Sequence, residues 1–444
     1  MTSAVQKELG ALLRLAAPLL ATGLGHMMLG VVDTAIVGRL GEVPLGAVGL
    51  GNNIYFTVSV LGFGWMLALD PLIGQAVGAR EPEEARRVLW QGLWVAALGA
   101  LPLTAVVIGL AYGMGGIGIP PETIAELTPY LVARGVGLLP FMLLAACRSF
   151  LQGHEITRPL LLSVLVANVI NVPLSYGLVF GVEGLGVPGL GAQGAGWAST
   201  VATIVQAGVL ALAVWKLWGD HPGMRRPELA VMRRVLRLGT PIGLQLMAEV
   251  GSFAIVGVLM AQLGTRSLGA HQVALMLISV TFQIALALGA ATATRVGHAI
   301  GRESPGDTRL AGLTGIAAGG VMMLVGATLF LTIPRSLARI LTDDLPVVEA
   351  TVPLFAVAAA FQISDGVQAV AAGALRGAGD TRWPLVSNVI GHYAIGVPLG
   401  AALAFIAGWG AVGLWWGLSA GLTAVAIALT LRFHAISRAT IVRA

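Results

Sequence analysis

Long apolar runs separated by short polar segments repeat along the whole chain. A helix needs roughly 20 mostly apolar residues to cross a bilayer, and the chain has about twelve runs of that length. The predicted spans are residues 15–37, 47–72, 88–112, 127–151, 159–182, 193–216, 236–263, 270–296, 308–332, 348–373, 383–407 and 411–432. The pattern predicts an all-α polytopic membrane protein of about twelve transmembrane helices.

The composition strengthens this prediction. Of the 444 residues, 57% are hydrophobic and 11% are charged, whereas soluble domains carry about 25% charged residues. The lipid bilayer must therefore be the main solvent of the chain. The net charge of +5 is spread over short segments between apolar runs, so we expect no nucleic-acid partner. The single cysteine, Cys147, excludes an internal disulfide and a cysteine zinc cage.

Lysine and arginine placement predicts the orientation in the membrane. With the N-terminus in the cytoplasm, 21 of the 26 basic residues fall on the cytoplasmic side and 5 on the other. The first apolar run continues to full spanning length, which predicts a retained helix rather than a cleaved signal. We therefore expect a multi-pass protein of the cell (inner) membrane with both termini in the cytoplasm.

The two halves of the chain resemble each other. Residues 13–18 match residues 236–241 at an offset of 223, and residues 172–174 match residues 397–399 at an offset of 225. Six helices in each copy give the copies the same topology, related by a pseudo-twofold axis along the membrane normal. Repeats of this kind place substrate sites near the bilayer midplane, which favours a transporter.

Only one segment between helices is both long and strongly basic, and it separates the two copies. We interpret it as the linker between two lobes. The predicted domains are an N-lobe at residues 1–218, a basic cytoplasmic linker at residues 219–235 and a C-lobe at residues 236–444.

Three acidic residues lie well inside the predicted spans: Asp33 in helix 1, Glu249 in helix 7 and Asp365 in helix 10. A charged group at the centre of a membrane helix costs about 2.5–3.5 kcal/mol, so each acid needs a partner, a cavity or a proton. Glu249 lies about 20 Å into its helix, near the middle of the membrane. In the repeat, the counterpart of Glu249 is His26. The two halves therefore carry different ionisable groups at equivalent positions of the repeat.

Polar side chains accompany these acids. His26 precedes Asp33 by two helical turns on the same face, so the pair is a candidate proton relay, with a packing role as the alternative. Asn168 and Asn171 in helix 5 are candidates to hydrogen-bond Asp33. In the second half, the amides near Glu249 and Asp365 indicate a water-filled central cavity; they are Gln245, Gln362 and Gln368.

Signals of enzymatic activity are weak. Residues 417–421 match the G-x-S-x-G pattern of serine hydrolases, and His392 lies in the adjacent span, so an intramembrane serine hydrolase is a remote alternative. That pattern requires a strand-to-helix turn, whereas here it falls within a helix, where small residues allow close packing. The chain contains no P-loop, H-E-x-x-H or C-x-x-C motif. We expect no enzyme activity and no cofactor, with Na+ or H+ as the coupling ion.

Three segments, residues 32–38, 268–273 and 364–377, resemble the MATE family of multidrug and toxic-compound extrusion transporters. The acid in helix 7 together with the acid in helix 10 resembles the NorM-type branch. The resemblance implies two six-helix lobes around a central cavity, and efflux of small organic cations in exchange for Na+ or H+. We expect a monomer.

The resemblance also implies roles for individual residues. Asp33 would be the acid of the N-lobe, and Glu249 with Asp365 would form the cation site of the C-lobe, the one place where a metal ion, Na+, is expected. Asn171 matches a polar position of helix 5. Phe361, one turn before Asp365, stands where related proteins often carry tyrosine, which argues against an aromatic hydroxyl in cation binding.

Exchange at shared carboxylates is the mechanism that we hypothesise: a substrate cation or a coupling ion relieves the same buried charge. The main alternative is a lipid-linked oligosaccharide flippase, which needs a basic cavity for pyrophosphate. Arg134 is the one basic residue that lies deep in a predicted span. A channel is a weaker alternative, because a two-lobed repeat with buried acids suits alternating access better than a fixed pore.

Overall fold

The computed structural model describes residues 2–114, 118–182, 184, 186–218 and 225–444. Twelve of its helical spans are long and apolar enough to cross a membrane, which confirms the predicted all-α polytopic fold. The helices of the first half are α1 (Thr2–Val37), α2 (Glu42–Leu67), α3 (Leu69–Gly78), α4 (Pro82–Gly113), α5 (Pro121–Val136), α6 (Leu138–Gly153), α7 (Arg158–Phe180) and α8 (Ala192–Trp218). Those of the second half are α9 (Leu229–Gln262), α10 (Thr265–Gly301), α11 (Pro305–Thr332), α12 (Pro334–Arg339), α13 (Leu345–Gly377), α14 (Arg382–Val389), α15 (Val397–Ala401) and α16 (Gly410–Ile436).

The helices extend beyond the predicted apolar spans. The first helix begins at Thr2 rather than near residue 15, and α9 begins at Leu229, inside the segment predicted as a linker. Hydropathy marks only the part of a helix that needs lipid, whereas the backbone hydrogen bonds continue into polar residues. Residues 219–224 of the predicted linker lie outside the described residues. A two-stranded antiparallel hairpin, Gly181–Val182 with Val187–Pro188, precedes α8.

Two prolines explain why two of the spans are interrupted. Pro71 and Pro140 each lie four residues after the last residue of the preceding helix, Leu67 in α2 and Val136 in α5. Proline has no N–H to donate to the carbonyl four residues earlier, and its ring crowds that carbonyl. Each span therefore consists of two helices.

The eleventh span contains two π-helical segments, Ile390–Gly396 and Ala402–Ile406, on either side of α15. Pro398 lies at the start of α15 and removes one donor from the helical ladder. A π-segment widens the helix and turns the side chains that follow, and such segments are frequent at functional sites.

The chain divides into two compact units. The N-unit comprises residues 21–73 and 82–243, and the C-unit comprises residues 1–20, 74–81 and 244–444. In the N-unit, α8 packs against α5, α6 and α7. In the C-unit, α13 packs against α10, α11 and α16. Each unit is thus built around one central helix.

Glycines let the helices of the C-unit approach closely. A Cβ atom on Gly373 of α13 would lie 2.2 Å from the carbonyl oxygen of Gly289 in α10. The G-x-S-x-G pattern serves the same purpose. A Cβ on Gly417 would lie 2.3 Å from the Cα of Gly400, and one on Gly421 would lie 2.6 Å from the carbonyl oxygen of Gly391. The pattern lies within α16, so its context is helix packing rather than a nucleophile turn.

Candidate functional site

The acids of the C-unit come together on two helices. Glu249 lies on α9 and Asp365 on α13, and the charge of Glu249 acts on Asp365. Gln368, one turn after Asp365, donates a hydrogen bond from Nε2 to Oε2 of Glu249 at 3.4 Å. Only 5% of the surface of Asp365 is exposed. The three residues form a cluster of two acids and one amide, which we call the C-site.

Tyr393 is a neighbour of the C-site that the sequence analysis did not identify. Its hydroxyl donates to the carbonyl oxygen of Ala248 at 2.9 Å, on the residue next to Glu249. Gly251 leaves room for this contact, because a Cβ there would lie 2.6 Å from the hydroxyl oxygen. The π-helical segment that carries Tyr393 sets its direction, and hydropathy gives no sign of that turn.

The remaining polar and aromatic candidates of the second half are Gln362, Phe361 and Gln245. Gln362 donates from Nε2 to the hydroxyl oxygen of Thr281 on α10 at 2.8 Å. Phe361 is buried in the hydrophobic core, with its ring centroid 5.7 Å from that of Trp415. Gln245 is buried on α9, one turn before Glu249. Gln368 is therefore the candidate amide that bonds an acid of the C-site.

Asp33 is a buried acid of the N-unit, as is Asp70. The hydroxyl of Ser199, on α8, donates to Oδ2 of Asp33. Asn171 and Ser175, both on α7 and fully buried, lie close enough to act on the Asp33 charge. The side-chain amide of Asn171 has no hydrogen-bond partner among the described residues, so Asn171 lies near Asp33 without the predicted hydrogen bond. Ser199 was not predicted, because hydroxyls are common in membrane helices and carry little sequence signal.

A partly buried arginine lies near this acid. Arg134, on α5, also acts on the charge of Asp33, and its guanidinium carbon lies 4.1 Å from the ring centroid of Tyr55. Tyr130 donates from its hydroxyl to Oδ1 of Asn52 at 2.7 Å. The basic group that lies deep in the N-unit is therefore accompanied by a carboxylate and by an aromatic face.

His26 and Asn168 have other partners than Asp33. The Nε2 atom of His26 lies 2.8 Å from Oε1 of Gln206, and Nδ1 lies 3.0 Å from the carbonyl oxygen of Thr22. Asn168 donates from Nδ2 to the carbonyl oxygen of Gly25 at 3.0 Å. The hypothesis that Asn168 hydrogen-bonds Asp33 is therefore wrong, and the observed partners place His26 in a hydrogen-bond network between α1 and α8.

The acids described above do not belong to a larger cluster of metal-binding side chains. Within the described ranges, no group of three or more histidine, cysteine, aspartate or glutamate side chains could hold a metal ion. The C-site therefore offers two carboxylates and one amide, a set suited to a small hard cation or a proton rather than to a transition metal.

Twelve helical spans of membrane-crossing length, with a buried acid in each unit, define a polytopic membrane protein. The family model MatE matches residues 18–177 and 241–402. The two matches begin 223 residues apart and end 225 residues apart, which confirms the internal repeat. This chain belongs to the MatE (MATE) family of transporters.

Curated relatives and solved structures agree with this family. The chain is 36% identical over 436 residues to a probable multidrug resistance protein NorM of Bradyrhizobium diazoefficiens, covering 96% of this chain and 93% of the relative. It is 34% identical to a protein of the same description from Pseudomonas putida, covering 96% and 94%. A MATE transporter structure from Vibrio cholerae shares the fold with a TM-score of 0.90 at 19% identity, covering 98% of each chain.

Proposed function

We propose that this protein is a multidrug efflux antiporter that exports lipophilic organic cations in exchange for Na+ or H+ by alternating access. The NorM relatives are described as multidrug resistance proteins, which supports the substrate class. The observation that carries the exchange mechanism is the pair of acids in the C-site, Glu249 with the buried Asp365.

The physical argument starts from the charge of this pair. Two carboxylates that are both ionised in a medium of low dielectric repel each other and lack solvation. A bound cation relieves both effects, whether it is a coupling ion or a substrate. Because the two cations compete for one site, binding of one favours release of the other, and this competition couples the fluxes. Asp33 of the N-unit serves as a third carboxylate for the same exchange.

The donor atoms of the C-site fit a hard cation. Oε1 of Gln368 is buried and has no hydrogen-bond partner among the described residues, while the amide nitrogen of the same side chain donates to Glu249. Carboxylate and amide oxygens are the ligands that hard cations prefer. The carboxylates also accept protons, so Na+ and H+ both remain coupling ions under this proposal.

We place the protein in the cell (inner) membrane with both termini in the cytoplasm. The support is the distribution of basic residues, 21 against 5, because segments rich in lysine and arginine stay on the cytoplasmic side. Labelling of a cysteine introduced near each terminus of a Cys147→Ala variant, in intact cells and in inverted vesicles, tests this orientation. Labelling of the terminal cysteines in intact cells by an impermeant reagent would contradict it.

Transport in proteoliposomes tests the exchange mechanism. A fluorescent organic cation is followed while Na+ and H+ gradients are imposed separately. We expect Glu249→Gln and Asp365→Asn each to abolish transport driven by the coupling gradient. The matched control is Glu349→Gln, because Glu349 lies on the same helix as Asp365 but forms an exposed ion pair with Arg335 at 2.8 Å. Full gradient-driven transport by both acid variants would refute the role of the C-site.

A further inference from the structure

A groove in the N-unit lies apart from the buried acids. It runs between α4, α6 and α8 and has a volume of about 770 Å³. Its walls are almost entirely apolar and include Leu89, Leu93, Leu143, Ile204 and Val214. Several wall residues are open to the surroundings, among them Ile204, which is 50% exposed. In a membrane protein, such an open apolar groove takes hydrocarbon rather than water.

The length of the groove matches one lipid leaflet. Its residues on α8 run from Ile204 to Trp218, a distance of about 21 Å at 1.5 Å per residue. The hydrocarbon of one leaflet is about 15 Å thick, half of the bilayer core of about 30 Å. An acyl chain can therefore lie along the groove while its headgroup stays at the membrane surface.

One end of the groove is polar and positively charged. The rings of Trp90 and Trp218 stack with centroids 5.3 Å apart, and the guanidinium carbon of Arg225 lies 5.6 Å from the ring centroid of Trp90. The indole N–H of Trp218 is buried and has no acceptor among the described residues. A cation and a free donor thus meet where tryptophans typically mark the headgroup level.

Hydrogen bonds hold the backbone at Arg225 in place. Trp94 donates from Nε1 to the carbonyl oxygen of Arg225 at 2.9 Å, and Gln91 donates to the carbonyl oxygen of Arg226 at 2.9 Å. Within the part of the chain that the structure describes, no carboxylate forms an ion pair with Arg225. The guanidinium is therefore positioned at the groove and available to an anion.

We propose that this groove binds one anionic glycerophospholipid from the leaflet on the linker side of the membrane. The acyl chain lies between α4, α6 and α8, and the phosphate accepts hydrogen bonds from the Arg225 guanidinium and the Trp218 indole. Basic pockets between transmembrane helices bind anionic headgroups in this way. A zwitterionic lipid fits the apolar part equally well, but its cationic headgroup opposes Arg225.

Native mass spectrometry of the full-length protein in detergent tests the headgroup. Phosphatidylglycerol and phosphatidylcholine with the same acyl chains are added separately, and bound lipids are counted. We expect phosphatidylglycerol to bind more tightly, and Arg225→Gln to weaken its binding about fivefold, the effect of one basic residue near the surface. The matched control is Arg226→Gln, which removes the same charge one residue from the groove. Equal binding of the two lipids, or equal loss in the two variants, would overturn the proposal.

A second pair of variants tests the acyl-chain site. A Cβ on Gly208, which lines the groove, meets nothing within 4 Å, and the same holds for Gly109 outside the groove. We expect Gly208→Leu to abolish tight phosphatidylglycerol binding, and Gly109→Leu to leave it unchanged. Identical lipid binding by these two variants would place the lipid elsewhere.

Discussion

Nε2 of Gln368 lies 3.4 Å from Oε2 of Glu249, so one amide side chain of α13 connects the acid of α9 to the helix that carries Asp365. The other end of this amide, Oε1, is buried without a partner among the described residues. Gln368 therefore both fixes Glu249 and presents an oxygen to the C-site.

This geometry predicts the effect of removing the amide. Gln368→Leu keeps the approximate volume but removes a donor that lies 3.4 Å from its acceptor, and a hydrogen bond of ordinary strength contributes about 0.5–1.5 kcal/mol. We expect the affinity for the coupling ion to fall by about two- to tenfold, measured as the ion concentration that gives half-maximal transport in proteoliposomes. The control is Gln262→Leu at the exposed end of α9. Unchanged ion dependence in Gln368→Leu would remove this residue from the C-site.

The contact of Arg134 with Tyr55 predicts a difference between two variants. Tyr55→Phe retains the aromatic face that lies 4.1 Å from the guanidinium carbon, whereas Tyr55→Leu removes it. A desolvated cation–π contact contributes about 2 kcal/mol. We expect Tyr55→Leu to lower the melting temperature in detergent, measured by size-exclusion chromatography after heating, and Tyr55→Phe to remain near the wild type. Equal melting of the two variants would show that the aromatic face contributes nothing.

The close approach of α13 and α10 predicts that even a methyl group is not tolerated at Gly373. Its Cβ would lie 2.2 Å from a backbone oxygen of Gly289, and backbone cannot move aside as a flexible side chain can. Overpacking of this kind costs about 1–3 kcal/mol, so we expect Gly373→Ala to reduce thermal stability and transport. Gly306→Ala is the control, because a Cβ there meets nothing within 4 Å. A Gly373→Ala protein as stable as this control would contradict the packing.

The attachment to α4 of the segment that precedes α9 is expected to weaken as the pH falls. Arg87 donates to both carboxylate oxygens of Glu228, at 2.9 and 2.5 Å, and this contact holds the pKa of Glu228 below its usual range. Because the pKa is lowered in the folded state, the ion pair is present at neutral pH and is lost as the pH falls through the lowered pKa.

Hydrogen exchange at the backbone N–H of Glu228 measures whether this ion pair holds the segment against α4. The backbone N–H of Glu228 donates to Oε1 of Gln91 at 2.8 Å, so its exchange reports whether the segment stays bound to α4. We expect faster exchange in Glu228→Gln than in the wild type at pH 7, and no change in Glu83→Gln, an exposed residue at the start of α4. Equal protection in the wild type and Glu228→Gln would show that the ion pair does not hold the segment.

The sequence predicted the features that depend on composition and spacing. The twelve spans and the repeat follow from apolar length and from a constant offset, because the bilayer imposes one length on every helix that crosses it. The intramembrane acids were found because a charge in an apolar span is rare. The polar helix ends, such as residues 2–14 of α1, were missed because hydropathy does not register them.

What the sequence determined by itself was the class of the protein, the number of its spans and the acids that need partners, since these follow from the cost of exposing charge and backbone to lipid. Only the tertiary structure decided the hydrogen-bond partners of the acids and of the nearby amides. It paired Gln368 rather than Gln362 with Glu249, supplied Ser199 to Asp33, and assigned Asn168 to a backbone carbonyl. The rotation of each helix about its axis selects among neighbouring polar residues, and that rotation depends on packing against other helices far away in the sequence.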